Sequence, residues 1–518
     1  MFVSLCFLLL NIFYFSVATS NKNPRVVLAE KDVPIQRYSL TGNNSRIELL
    51  QGPHDNSVFV GGQGRLWYID FNRPDQSKEM NFPVLERKTS NSKPTDPRNY
   101  EFDVTTLHRV NDTFLFVCGT NGNVPKCCYL STKMLDMKCS EDFKALGIAP
   151  LNVTEQAPSL YLDDDVYAAV NIDVKDNSVA MRRIGQKAVI SSDIDKKEQR
   201  YVSMAFSGPR EARLQDRVYT FRVQKGFDEH PEGSSWTTWV TQVCTADMGG
   251  SKMLLQKTWT SRLSARLSCG IRDRKLFFEQ LLDVSVLPGA NWRESRVYGL
   301  FKNSWGMTAV CVYTMADIDH VFKTSDFKEF QGTVPNPRPG ECVEDSRTLP
   351  PIVLKHIKEY PDMKDRVWPV KGSDPLMVSH DNYRHIRVDR VKGGGHGRRH
   401  YNVLLLSLES GSIHKVLEHA GEPFIIAELQ PFKNSTYIQN ILLQPSTKKL
   451  YVSSSSEVVE VDLKGCQRYG QQCEDCIQAR DPYCSWNGTH CTTTTESRKA
   501  IQDVEHGNYS VCKQGEGQ

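Results

Sequence analysis

The sequence predicts an all-β protein: a seven-bladed β-propeller followed by a small disulfide-rich module. Three observations predict this. First, β-rich runs bounded by Gly, Asn or Asp recur seven times, starting at residues 57, 114, 165, 217, 296, 402 and 450. Second, the first three intervals are 57, 51 and 52 residues and the last is 48, the length of four short strands with their turns, or one blade. Third, Cys466, Cys473, Cys476, Cys484, Cys491 and Cys512 crowd the C-terminal end. A segment that short buries too little apolar surface to stand without cross-links.

The elements follow in chain order. Phe2 to Val17 is an apolar run ending in Ala18-Thr19-Ser20, and residues 1–20 read as a secretory signal although their start lacks Lys or Arg. The run is short for a membrane span. The body then occupies residues 21–464, the knot 465–513 and a tail 514–518. Several of the seven runs alternate small and bulky residues, as inner blade strands do near a crowded axis. The long intervals, 79 and 106 residues, imply insertions near the fifth and sixth blades. Within the second, Leu349 to Lys358 begins with prolines and places Ile352, Leu354 and Ile357 near one face, a short helix. Glu279 to Val284 fits neither helix nor strand decisively. A single β-sandwich would not repeat its strand unit seven times over about 400 residues.

Composition narrows the function. The chain carries 64 basic and 61 acidic residues, which gives no electrostatic case for nucleic acid. The basic stretch from Lys392 to His400 is glycine-rich and reads as a solvated loop. Of 15 cysteines, Cys6 leaves with the signal, and the remaining 14 form an even set suited to an oxidising compartment. Asn43, Asn111, Asn152, Asn434, Asn487 and Asn508 each precede Ser or Thr by two positions and are candidate glycan sites. Secretion or display at the cell surface is expected.

No enzyme constellation is present. The chain lacks a nucleophile elbow, a phosphate-cradling glycine loop and a zinc helix. His396 and His400 have i, i+4 spacing, but a glycine-rich stretch does not hold them on one helical face. Asp163-Asp164-Asp165 reads as a turn before a strand rather than a calcium site. Propellers host sialidases, yet the arginines here fit no triad. Only Cys473 and Cys476 form a CxxC pair, which favours disulfides over zinc. No cofactor is expected.

At this point the chain resembles a semaphorin. Four stretches carry the resemblance, in the family's order: Cys118-Gly-Thr-Asn-Gly-Asn-Val-Pro-Lys-Cys127; Cys244-Thr-Ala-Asp-Met-Gly-Gly250 leading to Trp259-Thr-Ser-Arg-Leu-Ser-Ala-Arg-Leu-Ser-Cys269; Ala309-Val-Cys-Val-Tyr-Thr-Met315 running to Val334-Pro-Asn-Pro-Arg-Pro-Gly-Glu-Cys342; and Asp481-Pro-Tyr-Cys-Ser-Trp486, which resembles the PSI module. The resemblance implies a sema propeller followed by PSI. It also implies pairing Cys118 with Cys127, Cys244 with Cys342 and Cys269 with Cys311, which leaves Cys128 with Cys139. The knot has fifteen possible pairings and stays open. Ser140-Glu-Asp-Phe143 departs from the Pro- and Asp-rich string of most members, as class 7 and viral semaphorins do in comparable places. The chain runs six residues past Cys512, and a class 7-like ectodomain cut after PSI is expected.

The resemblance implies a plexin receptor as partner and a homodimer that gathers two receptors. It places the receptor face on the third and fourth blades, here roughly Asp163 to Arg222, where Arg210, Arg213 and Arg217 are flanked by Phe206, Tyr219 and Phe221. Two of these aromatics are expected in the core, which leaves Arg210 and Arg213 as candidate contacts. An integrin or other adhesion role, the alternative, lacks an Arg-Gly-Asp: Gly270-Ile-Arg-Asp-Arg-Lys275 is not one. A pathogen-encoded mimic of host plexin ligands is a further variant.

Overall fold

The computed structural model describes residues 23–33, 35–42, 44–82, 102–121, 124–132, 137–138, 147–173, 178–187, 189–192, 198–226, 236–393, 399–419, 422–494 and 500–514. The signal segment 1–20, Asn43, Cys139 and His396 lie outside them. Seven antiparallel sheets stand in a ring as the blades of a propeller. Their first strands are Glu48–Gln51, Asp103–Arg109, Ser159–Leu162, Gln199–Ser207, Gln280–Leu287, Tyr383–Lys392 and Asn440–Gln444, and each packs beside the first strand of the next blade, the last against the first.

The seven runs seen in the sequence are the second strands: Ser57–Gly61, Phe114–Asn121, Asp165–Asp173, Arg217–Lys225, Arg296–Lys302, His400–Leu408 and Lys449–Ser453. They are thus one strand away from the axis, not beside it as expected. A second strand has a strand on both edges and a neighbouring blade on both faces, so its apolar residues run on without alternation. Ser57–Gly61 is buried throughout, and Val403, Leu404, Leu405 and Leu406 are all fully buried. Gln280–Leu287 settles the ambiguous stretch as the first strand of blade 5.

The N-terminal segment closes the ring. Ile35–Ser39 pairs antiparallel with Glu457–Asp462 as the outer strand of blade 7, and Arg37 bonds Glu457 at 2.8 Å and Glu30 at 2.7 Å. Val26–Leu28 adds a parallel fifth strand to blade 6 beside Phe424–Leu429.

Both insertions sit one blade earlier than the spacing implied, because an interval between second strands runs from the back of one blade to the front of the next. The first, residues 245–262, joins the third and fourth strands of blade 4, Trp236–Cys244 and Leu263–Leu267. The second, residues 315–376, lies inside blade 5 between Thr308–Thr314 and Met377–Ser379. It contains helix α1, Met315–Thr324, capped where Thr314 Oγ1 accepts from the Asp317 amide, and helix α2, Pro351–Glu359. It then lays Asp362–Val367 parallel to Leu263–Leu267 as a fifth strand of blade 4. On α2 the buried face is Val353, Leu354 and Ile357, packed on Leu254, Leu255 and Val343. Ile352 is 61% exposed, contrary to expectation, because it lies two positions and about 200° of helix from Leu354.

Disulfides join Cys118 to Cys127 across adjacent strands, Cys244 to Cys342 and Cys269 to Cys311. Cys128 is also disulfide-bonded. In the knot, Cys466 joins Cys484, Cys473 joins Cys512 and Cys476 joins Cys491, around helix α3, Cys473–Gln478, and the strand pair Cys484–Trp486 and Cys491–Thr493. Among the described residues, the core of the knot is continuous with that of the propeller. Tyr469, Cys476, Tyr483 and Val504 share one apolar cluster with Leu417, Leu429, Val459 and Leu463 of blades 6 and 7.

The candidate partner-binding face

The candidate face is built on the connection between the first two strands of blade 4, residues 208–216. Asp216 Oδ1 accepts from the Arg210 amide at 2.8 Å and folds the segment back on itself. A short turn of helix, Arg213–Gln215, completes it.

The two arginines have opposite fates. Arg210 is 6% exposed. Its Nη1 donates to Asp319 Oδ1 of α1 at 2.8 Å, and its Nη2 to Tyr219 OH at 3.2 Å. Its guanidinium lies 3.8 Å from the centre of the Trp292 ring. Arg210 therefore ties blade 4 to α1 and cannot serve as the receptor contact that the sequence suggested. Its fork finds a buried carboxylate and a π face, both supplied by remote segments. Arg213 is exposed and, among the described residues, makes no ion pair.

The charge around Asp319 is dense. Arg217 Nε lies 3.7 Å and Lys323 Nζ 2.7 Å from this carboxylate. Burial alone would raise the Asp319 carboxyl, but hydrogen bonds from Lys323 and Arg210 outweigh it and hold it below the usual carboxylate range. Burial pushes the Tyr219 hydroxyl up to about 12, with Asp319 adding to it. Tyr219 and Phe221 are fully buried and Phe206 is half-buried, so two of the three aromatics are core. On the rim, Glu211 pairs with Arg293, which also stacks on Trp292 at 4.8 Å. The Arg293 hydrogen bond draws the Glu211 carboxyl down to about 2.

The other candidates resolve as follows. Asp163 and Asp164 have φ of 50° and 61° and form the two-residue turn of a hairpin that pairs Leu162 with Asp165. Among the described residues no cluster of His, Cys, Asp and Glu could hold a metal. From the basic loop, Arg399 bonds Glu505 of the knot. Asn111, Asn152, Asn434 and Asn508 are exposed and Asn487 is half-buried. Arg272, within the stretch weighed for integrin binding, stacks on Trp368 at 3.6 Å.

Comparison with known proteins bears on this geometry. The Sema domain model matches residues 281–445 and the Plexin repeat model residues 465–513. The chain is 32% identical to human Semaphorin-7A over 466 residues, covering 88% of this chain and 68% of that protein. The chain belongs to the semaphorin family. The Semaphorin-7A match gives this semaphorin a class 7-like affinity. Drosophila Semaphorin 2a superposes with a TM-score of 0.78 at 20% identity, covering 92% of this chain and 83% of that one. A structure of Drosophila Plexin A in complex with Semaphorin 1b matches with a TM-score of 0.74 at 22% identity, covering 94% and 98%. At these identities the two structures show the shared fold alone. No helix among the described residues of this semaphorin is long and apolar enough to cross a membrane.

The semaphorin also has a second buried ionic centre that the sequence did not disclose, between Lys415 of blade 6 and Asp481 of the knot. The only sequence signal was the apolar company of Lys415 in Ile413–Leu417.

Proposed function

We propose that this semaphorin is an extracellular ligand for a plexin, bound through its propeller, and that it signals as a homodimer that clusters receptors in cell guidance, adhesion or immune regulation. The observation that carries this is the 32% identity to Semaphorin-7A across 88% of the chain. The complex of Plexin A with Semaphorin 1b, which has this fold, supports the partner class. The reading needs binding and no turnover. Residues 21–464 and 465–513 act as one body, because they share a core. The contact face is the exposed part of blades 3 and 4 around Arg213, with Arg210 supporting it from beneath. The exposed sequons carry glycans, as a secreted chain would.

The test is the solution mass of the deglycosylated protein by light scattering, alone and with a panel of plexin sema–PSI ectodomains. Twice the chain mass, rising by two receptors, supports the reading. A monomer that takes up no plexin overturns it, and cell attachment without a plexin would then favour an adhesion role.

A further inference from the structure

Charge is spread unevenly over the propeller. Residues 262–275 and 362–372 hold eight Arg or Lys and three Asp, a net charge of +5, where the whole chain carries +3. The rest of the chain is therefore slightly acidic. The fold brings these two stretches together. Leu263–Leu267 and Asp362–Val367 are parallel neighbours at the outer edge of blade 4, with Arg266 and Arg366 in register. Like charges side by side on neighbouring strands cost stability. Beyond Leu267 the chain leaves blade 4 through a hairpin of Gly270–Ile271 and Leu276–Phe277, whose turn holds Arg272, Arg274 and Lys275. That turn leans on the second stretch, since the Arg272 guanidinium lies 3.6 Å from the centre of the Trp368 ring.

These cations face water. Arg272, Arg274, Lys275 and Lys364 are exposed and Arg366 is half-buried. Among the described residues, Arg272, Arg274, Lys275 and Arg366 make no ion pair. Lys364 lies 3.8 Å from Asp326, but both side chains are largely exposed, where a pair holds little. Arg266 is engaged within the fold and is not counted on. The exposed acids of the two stretches are Asp273 and Asp365. Stacking on Trp368 fixes the plane of the Arg272 guanidinium without using its N–H donors.

Cations spread along a strand edge and a neighbouring turn suit a partner with many anionic groups rather than a single ion. Anionic lipid is concentrated in the cytoplasmic leaflet, which an extracellular chain does not meet. Sulfated polysaccharides are the polyanions of the extracellular surface, and their sulfate oxygens suit the arginine fork. We propose that this rim, the outer edge of blade 4 together with the turn of Arg272 to Lys275, binds a sulfated polysaccharide chain. The proposal rests on the extracellular reading and stands whether or not a plexin binds.

Surface plasmon resonance of the glycosylated protein on immobilised heparin, with no plexin present, tests it. Binding at physiological salt is expected, weakening as salt rises and lost on chemically desulfated heparin. Arg272→Ser with Arg274→Ser and Lys275→Asn weakens it about tenfold, as three exposed charge contacts would, with unchanged thermal unfolding. Asparagine suits the φ of 52° at Lys275. Should that variant not fold, Arg274→Ser alone weakens binding about twofold. A control that loses three other exposed lysines, Lys31→Ser with Lys78→Ser and Lys433→Ser, keeps wild-type affinity. The proposal is overturned by a wild type that ignores heparin, by equal binding to the desulfated chain or to phosphatidylserine vesicles, by wild-type affinity in the Arg272 and Arg274 variants, or by an equal loss in the control.

Discussion

Lys415 Nζ of blade 6 lies 2.6 Å from Asp481 Oδ2 of the knot, with both side chains no more than 3% exposed. The ammonium also donates to the Leu463 carbonyl at 2.9 Å and sits 4.1 Å from the Tyr483 ring centre. Asp481 accepts a further bond from Tyr469 OH at 2.6 Å, and Tyr483 OH reaches back to Asp389 of blade 6 at 2.6 Å. Burial lowers the Lys415 pKa, and Asp481 opposes that shift. The pair is satisfied on both sides, which makes the orientation of the knot a property of the propeller.

Removing one partner leaves the other charged and buried, at a cost of about 3–5 kcal/mol. Lys415→Met is expected to lower the free energy of urea unfolding of the whole protein by that amount, and the midpoint with it. Lys415→Met with Asp481→Leu should recover most of the loss, because no orphan charge remains. An unchanged midpoint in the single variant would show that knot and propeller are not coupled through this pair.

The two arginines of the candidate face separate stability from binding. Arg210→Glu sets two carboxylates against each other beneath Trp292 and is expected to abolish secretion of folded protein. Arg213→Glu leaves stability within about 0.5 kcal/mol, as exposed substitutions do. It is expected to weaken plexin binding in surface plasmon resonance. Wild-type affinity for Arg213→Glu would move the contact elsewhere on blades 3 and 4.

The contrast shows where sequence reasoning reaches. Second strands such as Ser57–Gly61 were legible because burial on both faces writes an unbroken apolar run. First strands such as Tyr383–Lys392 were not, because the exposed Arg384, Arg390 and Lys392 interrupt their apolar residues. The fifth strand of blade 4, Asp362–Val367, is mostly charged and is a strand only because Leu263–Leu267 offers it an edge. Arg210 looked like a surface hot spot because the carboxylate that buries it lies 109 residues away, on a helix inserted in another blade. Lys415 and Asp481 are hidden in the same way, 66 residues apart.

The disulfides should differ in worth with the length of chain they close. Cys244–Cys342 spans 98 residues and Cys118–Cys127 spans 9. On the chain-entropy model these loops are worth about 4.7 and about 2.5 kcal/mol. Replacing both cysteines by serine in each pair is therefore expected to destabilise the first variant by about 2 kcal/mol more than the second. Urea unfolding of the two variants checks this. Equal losses would mean that local packing, not loop closure, sets the value of these bonds.

Acid sensitivity should come from two histidines on first strands. His108 bonds Ser159 Oγ at 2.8 Å, from blade 2 to blade 3, and His385 Nδ1 lies 2.8 Å from Ser407 Oγ. Burial pushes each down from 6.5 to about 4. Between those values the unfolded chain binds protons that the folded protein refuses, so stability rises with pH across the window and falls as pH drops from about 6.5 towards 4. The slope is at most about 1.4 kcal/mol per pH unit for each histidine, less where water reaches the ring. Urea midpoints from pH 7 to 4 should show this fall, and His108→Gln with His385→Gln should flatten it. A wild-type slope that survives both substitutions would assign the acid sensitivity to other groups, of which His414, also lowered by burial and 3.6 Å from Glu428, is the next to replace.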